Sequence, residues 1–234
     1  MNKINFVKEL ENRGIHCSQE QVDLLWKFMD YVLETNEKFN LTAIKDEETF
    51  VEKMIFDSAL LLNNQKFEGE TIVDIGSGAG FPSVVISILS PKTHIIAIDS
   101  TAKKVNFIQE FAKENNLNID AISARAEDYA QAHRDSYLLV TARAVASLRV
   151  LIELSMPMLQ VGGHLIAMKG PGLKEEISEA GSAFKKLKCE IDYIYEDQLP
   201  ECKEDRYFVY IKKTGETPNK YPRTFGEIKN KPLK

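Results

Sequence analysis

The residues with the strongest claim to chemistry lie in Thr71-Ile72-Val73-Asp74-Ile75-Gly76-Ser77-Gly78-Ala79-Gly80-Phe81-Pro82. An apolar run of strand length carries an acid at its end, passes through three glycines at alternate positions, and stops at a proline suited to the first turn of a helix. Glycine is required where a backbone takes positive φ angles or lies against a ligand with no Cβ between them. The helix expected from Pro82 turns its free N–H groups towards the same loop. A strand, a tight loop and a helix that together receive a nucleotide-like ligand are the first reading.

Spacing narrows the ligand. A dinucleotide fold uses G-x-G-x-x-G, whose third glycine would stand at position 81, and that position is Phe81. A nicotinamide oxidoreductase fails on that residue. What remains, acid-x-Gly-x-Gly-x-Gly, resembles the first motif of the doubly wound S-adenosylmethionine-dependent methyltransferases, in which the loop faces the cofactor's amino-acid end. That resemblance implies a second acid closing the next strand to hold the ribose hydroxyls. The run His94-Ile95-Ile96-Ala97-Ile98-Asp99 supplies it, 25 residues after Asp74.

The elements that must position these residues follow from periodicity. From position 71 onward strand and helix patterns alternate, which predicts an α/β fold: a doubly wound, mostly parallel seven-stranded sheet with right-handed crossovers. Strands are expected near 71–75, 94–99, 119–123, 137–142, 163–168, 189–196 and 206–212, and helices near 82–89, 102–115, 147–159 and 173–187. The last two strands lack an intervening helix, so an antiparallel hairpin with Pro200 in its loop closes the sheet.

Ahead of the sheet, residues 1–64 read as a helical extension. Ser18 and Gln21 form a capping box before an apolar stripe of Val22, Leu25, Met29 and Val32. Asp46 caps a further helix that ends at Asn63-Asn64, and Asn40 and Thr42 are expected in the turn between the two, bonding their own backbone. Ligands of such sheets sit outside the carboxyl ends of the strands, where the winding reverses. The loops that matter are therefore 76–81, Asp99-Ser100, Ala124 to Glu127, Arg143-Ala144 and Lys169 to Gly172.

Composition excludes several classes. The 234 residues are 44% hydrophobic, enough for one α/β domain with an added element. No apolar run reaches the roughly 18 residues of a membrane span, and no secretory segment opens the chain, so a cytoplasmic protein is expected. Cys17, Cys189 and Cys202 stand far apart without a C-x-x-C, and the four histidines are scattered, so neither a metal nor a disulfide framework is expected. The net charge of −5 is uneven: residues 212–234 carry +5 and the preceding 211 carry −10. A basic end on an acidic body is a candidate phosphate-contact surface. The organisation expected is a helical extension at 1–64, a cofactor-binding domain at 65–213 and a basic tail at 214–234.

Several of these pieces recur in order in one family. Asn40-Leu41-Thr42-Ala43-Ile44, the Asp74 to Pro82 run, Asp99-Ser100 followed by Lys103-Lys104, Arg125-Ala126-Glu127, Arg143-Ala144-Val145-Ala146, Gly162-Gly163 with Lys169-Gly170, and Tyr221-Pro222-Arg223-Thr224-Phe225-Gly226 resemble the ribosomal RNA small subunit methyltransferase G family, also called glucose-inhibited division protein B. Two departures are Ser83, where the family usually has glycine, and Glu227, where it usually has proline.

The resemblance implies methyl transfer from S-adenosylmethionine to N7 of one guanine in a loop of bacterial 16S rRNA, presented as naked rRNA or as the small ribosomal subunit, by a monomer. Guanine N7 already carries a free lone pair, so no dedicated base is needed. The fourth strand's Thr141-Ala142-Arg143-Ala144 agrees, because it lacks the Asn/Asp-Pro-Pro-aromatic motif of amine methylases. The roles implied are Gly76, Gly78 and Gly80 against the methionine part, Asp74 orienting that loop or the amino group, and Phe81 packing on the cofactor. Asp99 takes the ribose hydroxyls, and Ala126 and Glu127 border the adenine. Arg143 holds the cofactor carboxylate, an RNA phosphate or guanine O6. Lys169 and Arg223 are RNA-phosphate candidates, and Tyr221 a base-stacking one. The rivals are a methyltransferase with another acceptor and an RNA-binding assembly factor whose cofactor site is vestigial.

Overall fold

The computed structural model describes residues 1–63, 67 and 69–233. Seven strands, β1 (Thr71–Ile75), β2 (His94–Asp99), β3 (Ile119–Ser123), β4 (Tyr137–Arg143), β5 (Leu159–Lys169), β6 (Cys189–Gln198) and β7 (Asp205–Lys213), form one sheet. Its order is β3-β2-β1-β4-β5-β7-β6, with the first five strands parallel and β7 antiparallel to both β5 and β6. The doubly wound sheet and its closing hairpin match the expectation, and the winding reverses between β1 and β4.

Helices cover both faces. On one, α1 (Lys3–Glu11), α2 (Gln19–Asn36), α5 (Ser83–Leu89) and α6 (Ala102–Glu114) share a core that joins Phe6, Phe28 and Phe50 to Phe81, Phe107 and Phe111. Between α2 and the sheet, α3 (Glu47–Phe50) runs into a π-helical stretch, Val51–Phe56, then α4 (Asp57–Ala59) and a 3₁₀ turn, Leu60–Leu62. The N-terminal helices therefore share one core with the sheet, and the boundary expected at 64/65 lies outside the described residues. The Ser18–Gln21 capping box is present. In the turn that follows α2, Asn36 rather than Asn40 accepts the N–H groups of Leu41 and Thr42, while Thr42 accepts that of Ile44.

The opposite face carries α7 (Ala126–Ala132), α8 (Leu148–Ser155), α9 (Leu173–Glu179), α10 (Gly181–Leu187) and α11 (Phe225–Asn230). Two of these, α7 and α11, are too short to show a helical period in the sequence. The helix expected at 173–187 breaks at Ala180, and β5 begins four residues before its expected start. Residues 214–233 are not a loose tail: Tyr221, Ile228 and Leu233 are buried in the second core with Val140, Leu151 and Ile211. Glu227, unusual for the family, has a local reason. It completes a capping box with Thr224 at the start of α11.

Candidate active site

The crevice lies where expected, at the carboxyl ends of β1 to β4, as a cavity of about 470 Å³. That is the size range of small-molecule sites. Its floor is the glycine loop. Gly76, Gly78 and Gly80 take φ values of +70°, +57° and +92°, and a Cβ on Gly76 would fall 2.6 Å from a Val145 methyl. The N–H groups of Gly76 and Ser77 both donate to the Ile98 carbonyl, at 2.8 and 3.0 Å, tying the loop to β2.

Asp99 stands at the end of β2 on the cavity wall. Its Oδ2 accepts the Gly78 N–H at 3.1 Å and its Oδ1 the Thr101 N–H at 2.8 Å. A carboxylate has about four acceptor positions, so it keeps capacity for two ligand hydroxyls while its plane is held by backbone. Ala126 and Glu127 line the same cavity opposite, with Arg125 and Lys104. Ser77 Oγ is buried in this wall without a partner among the described residues. A glycine cradle, a carboxylate oriented for a diol and an unmatched buried hydroxyl fit an adenosyl-type cofactor with an amino-acid end.

Asp74 does not line the cavity. It lies wholly buried under the loop, where Ser83 Oγ donates to its Oδ2. Burial pushes its carboxyl up to about 7 against the pull of the Ser83 hydrogen bond and of Arg143. Ser83, the other departure from the family, thus joins the strand end to the start of α5. Asp74 thus sits beneath the loop and apart from the cavity lining. Phe81 touches the cavity with one edge but is 4% exposed, packed on Phe28 and Phe50 with ring centroids 5.1 and 5.6 Å away.

Arg143 is fixed rather than free. Its NH1 donates to Asp57 Oδ2 at 3.1 Å and to the Lys53 carbonyl at 3.0 Å, and its guanidinium lies 5.5 Å from the Phe81 ring centre. Asp57 Oδ1 accepts from Arg206 Nε, also at 3.1 Å. Burial pushes the Asp57 carboxyl upward from its ordinary range, opposed by the two guanidiniums. Asp57 and Arg206 were not read from the sequence. The available signal was a charge inside the apolar run Ile55-Phe56-Asp57-Ser58-Ala59-Leu60. The cavity also receives exposed Phe225, with the Arg125 guanidinium 4.4 Å from its ring centre.

Three residues expected to contact RNA have partners inside the fold. Lys169 donates to the Ala146 carbonyl and to Glu176 Oε2, both at 2.7 Å, so its charge is matched inside the fold. Arg223 holds the buried carboxylate of Glu153 through Nε and NH2, each at 2.7 Å, and reaches the Lys231 carbonyl. Tyr221 is 4% exposed, so its ring is core and not a stacking platform.

Comparison with known proteins gives the family and the fold. The family described as GidB, rRNA small subunit methyltransferase G, matches residues 21–209. A ribosomal RNA small subunit methyltransferase G of Lactobacillus johnsonii is 39% identical over 241 residues, with all of both chains covered. One from Streptococcus pneumoniae serotype 19F is 40% identical over 238, again covering both. Among solved structures, a SAM dependent methyltransferase from Aquifex aeolicus superposes with a TM-score of 0.52 at 16% identity, covering 76% of this chain and 97% of that one. M. jannaschii TYW2 in complex with AdoMet gives 0.55 at 14%, covering 73% and 79%. These structures share the fold. No helix among the described residues is long and apolar enough to cross a membrane. The chain belongs to the rRNA small subunit methyltransferase G family and is an S-adenosylmethionine-dependent methyltransferase.

Proposed function

We propose that this enzyme methylates N7 of one guanine in a loop of 16S rRNA, by in-line transfer without a dedicated base. S-adenosylmethionine supplies, when bound, a methyl group made electrophilic by the sulfonium that carries it. The chain's task is to hold and align. The Gly76 to Gly80 backbone receives the methionine part, Asp99 accepts the ribose hydroxyls, and Ala126 and Glu127 border the adenine. Arg143, pinned by Asp57 and by the Lys53 carbonyl, stands as a fixed cationic wall.

The observation that carries this reading is the wall through which the cofactor cavity meets its neighbour. It consists of Met54, Arg143, Ala144 and Val145. None of these is a general base, and none offers a thiol or hydroxyl for covalent catalysis. An acceptor that brings its own lone pair, as guanine N7 does, needs neither. Alignment of this kind supplies up to roughly 7–11 kcal/mol of a barrier. Phosphate contacts fall to the exposed rim, where Arg125 and Lys229 flank Phe225.

The test is transfer of a labelled methyl to 16S rRNA, to intact small subunits and to free guanosine, followed by nucleoside analysis. The expected product is 7-methylguanosine at one rRNA position. Label on an exocyclic amine, a ring carbon or a ribose, or turnover of free nucleosides alone, overturns the reading.

A further inference from the structure

A second cavity of about 570 Å³ adjoins the first at Met54, Arg143, Ala144 and Val145, and its lining holds a charge pair that does not line the cofactor cavity. Lys169 closes β5 and Glu176 lies on α9, and both face this space. Glu176 Oε2 accepts the Leu148 N–H at 2.6 Å and the Lys169 ammonium at 2.7 Å. Lys169 spends a further N–H on the Ala146 carbonyl. An ammonium has three donors and a carboxylate two oxygens. Among the described residues, one Lys169 donor and the whole of Glu176 Oε1 therefore stay unspent, side by side. Asp57, the other carboxylate here, has both oxygens taken by Arg143 and Arg206.

We infer that this chamber receives the acceptor base and that Lys169 and Glu176 read its Watson–Crick edge. The inference rests on the guanine N7 reading above. Guanine places the O6 acceptor beside the N1–H and N2–H donors, the complement of one ammonium donor beside one carboxylate oxygen. Adenine presents the reverse order and meets donor with donor. A base whose N7 points to the cofactor turns that edge away from it, into this cavity. Met168, Tyr207 and Phe208 supply apolar and aromatic surface along the way. Unstacked RNA bases are read by hydrogen bonds on their Watson–Crick and Hoogsteen edges, and with N7 turned to the cofactor the Watson–Crick edge is the one left free. Two charged residues held by their own hydrogen bonds lose little freedom when the base arrives.

The test uses small subunits reconstituted with 16S rRNA whose mapped target guanosine is replaced by inosine, which lacks the N2 amine, or by 7-deazaguanosine, which lacks N7. With the wild-type enzyme, inosine should lower kcat/KM by roughly ten- to a hundredfold, the scale of one hydrogen bond to a charged group. Glu176→Gln still accepts the Leu148 N–H through its amide oxygen. It should lower kcat/KM for guanosine by the same factor, suffer no further loss with inosine, and change affinity for S-adenosylhomocysteine less than twofold. An inosine penalty as large as in wild type overturns the assignment of Glu176. Lys169→Met gives an independent reading with 2-aminopurine, which lacks O6 and the N1 proton: its penalty should shrink to the part owed to the lost N1 proton facing Glu176, and an undiminished penalty overturns the role of Lys169. Methylation of the 7-deazaguanosine substrate would instead sink the N7 reading itself.

Discussion

Two walls of one crevice are built on opposite principles. The wall from Gly76 to Gly80 is backbone, with three positive φ values and a Cβ at Gly80 excluded by Val84 at 2.7 Å and Phe28 at 3.1 Å. The wall that carries Arg143 is backed by charge: Asp57, itself outside the cofactor cavity, is joined to Arg143, 86 positions away, and to Arg206, 149 away. A backbone wall constrains residues next to one another and leaves a motif. An ion-pair wall constrains residues that only the fold brings together, and it leaves none.

The C-terminal stretch gives the comparison its largest test. A solvated basic tail could be removed without harm to the cofactor site. In the structure, removal of residues 219–234 strips Tyr221, Ile228 and Leu233 from the second core and leaves the Glu153 carboxylate buried without Arg223. At roughly 1.5–3 kcal/mol for each apolar side chain, the loss is on the order of 5 kcal/mol or more, comparable to the whole stability of a domain. Urea denaturation should show a truncated chain that is unfolded or nearly so. A truncated chain with an unchanged midpoint would return this segment to the status of a tail.

Asp57 tests the ionic wall directly. Asp57→Ala leaves two guanidiniums facing each other with no carboxylate between them. Removing one partner of a buried pair costs about 3–5 kcal/mol, and the lower end applies because both arginines keep partial contact with solvent. The expected result is a loss of about 3 kcal/mol in urea, with affinity for S-adenosylhomocysteine reduced less than stability, because Asp57 does not line the cofactor cavity. No change in stability would make the bridge ornamental.

What could be read in the sequence divides along the same line. The strands β1, β2 and β3 fall on their expected residues because each is a short apolar run bounded by turn chemistry. The glycine loop and Asp99 were legible because each is a local constraint at a strand end. The partners of Lys169, Tyr221 and Arg223 were not legible, for one shared reason. In a sequence a basic or aromatic residue near a glycine or proline looks available, and Glu176, Glu153 and the apolar residues that occupy them lie elsewhere in the chain. The helix α7 went unseen because Ala126–Ala132 makes only two turns, shorter than the window in which helical period is measured.

Asp74 gives the finest probe of the backbone wall, since it acts on the loop from below. Its folded carboxyl titrates at about 7 against an ordinary value of 3.8, because burial disfavours the charge. Between those two values the folded state keeps a proton that the unfolded chain has already released. Stability therefore falls as pH rises through that window and is level above it. Asparagine is neutral throughout and can still accept the Ser83 hydroxyl. Urea midpoints of the wild type and Asp74→Asn should nearly coincide at about pH 4, within roughly 1 kcal/mol, and separate with rising pH in favour of the variant until about pH 7. Parallel curves would mean that Asp74 is charged in the folded protein at neutral pH, and the loop would then rest on an anion rather than on a neutral hydrogen-bonded acid.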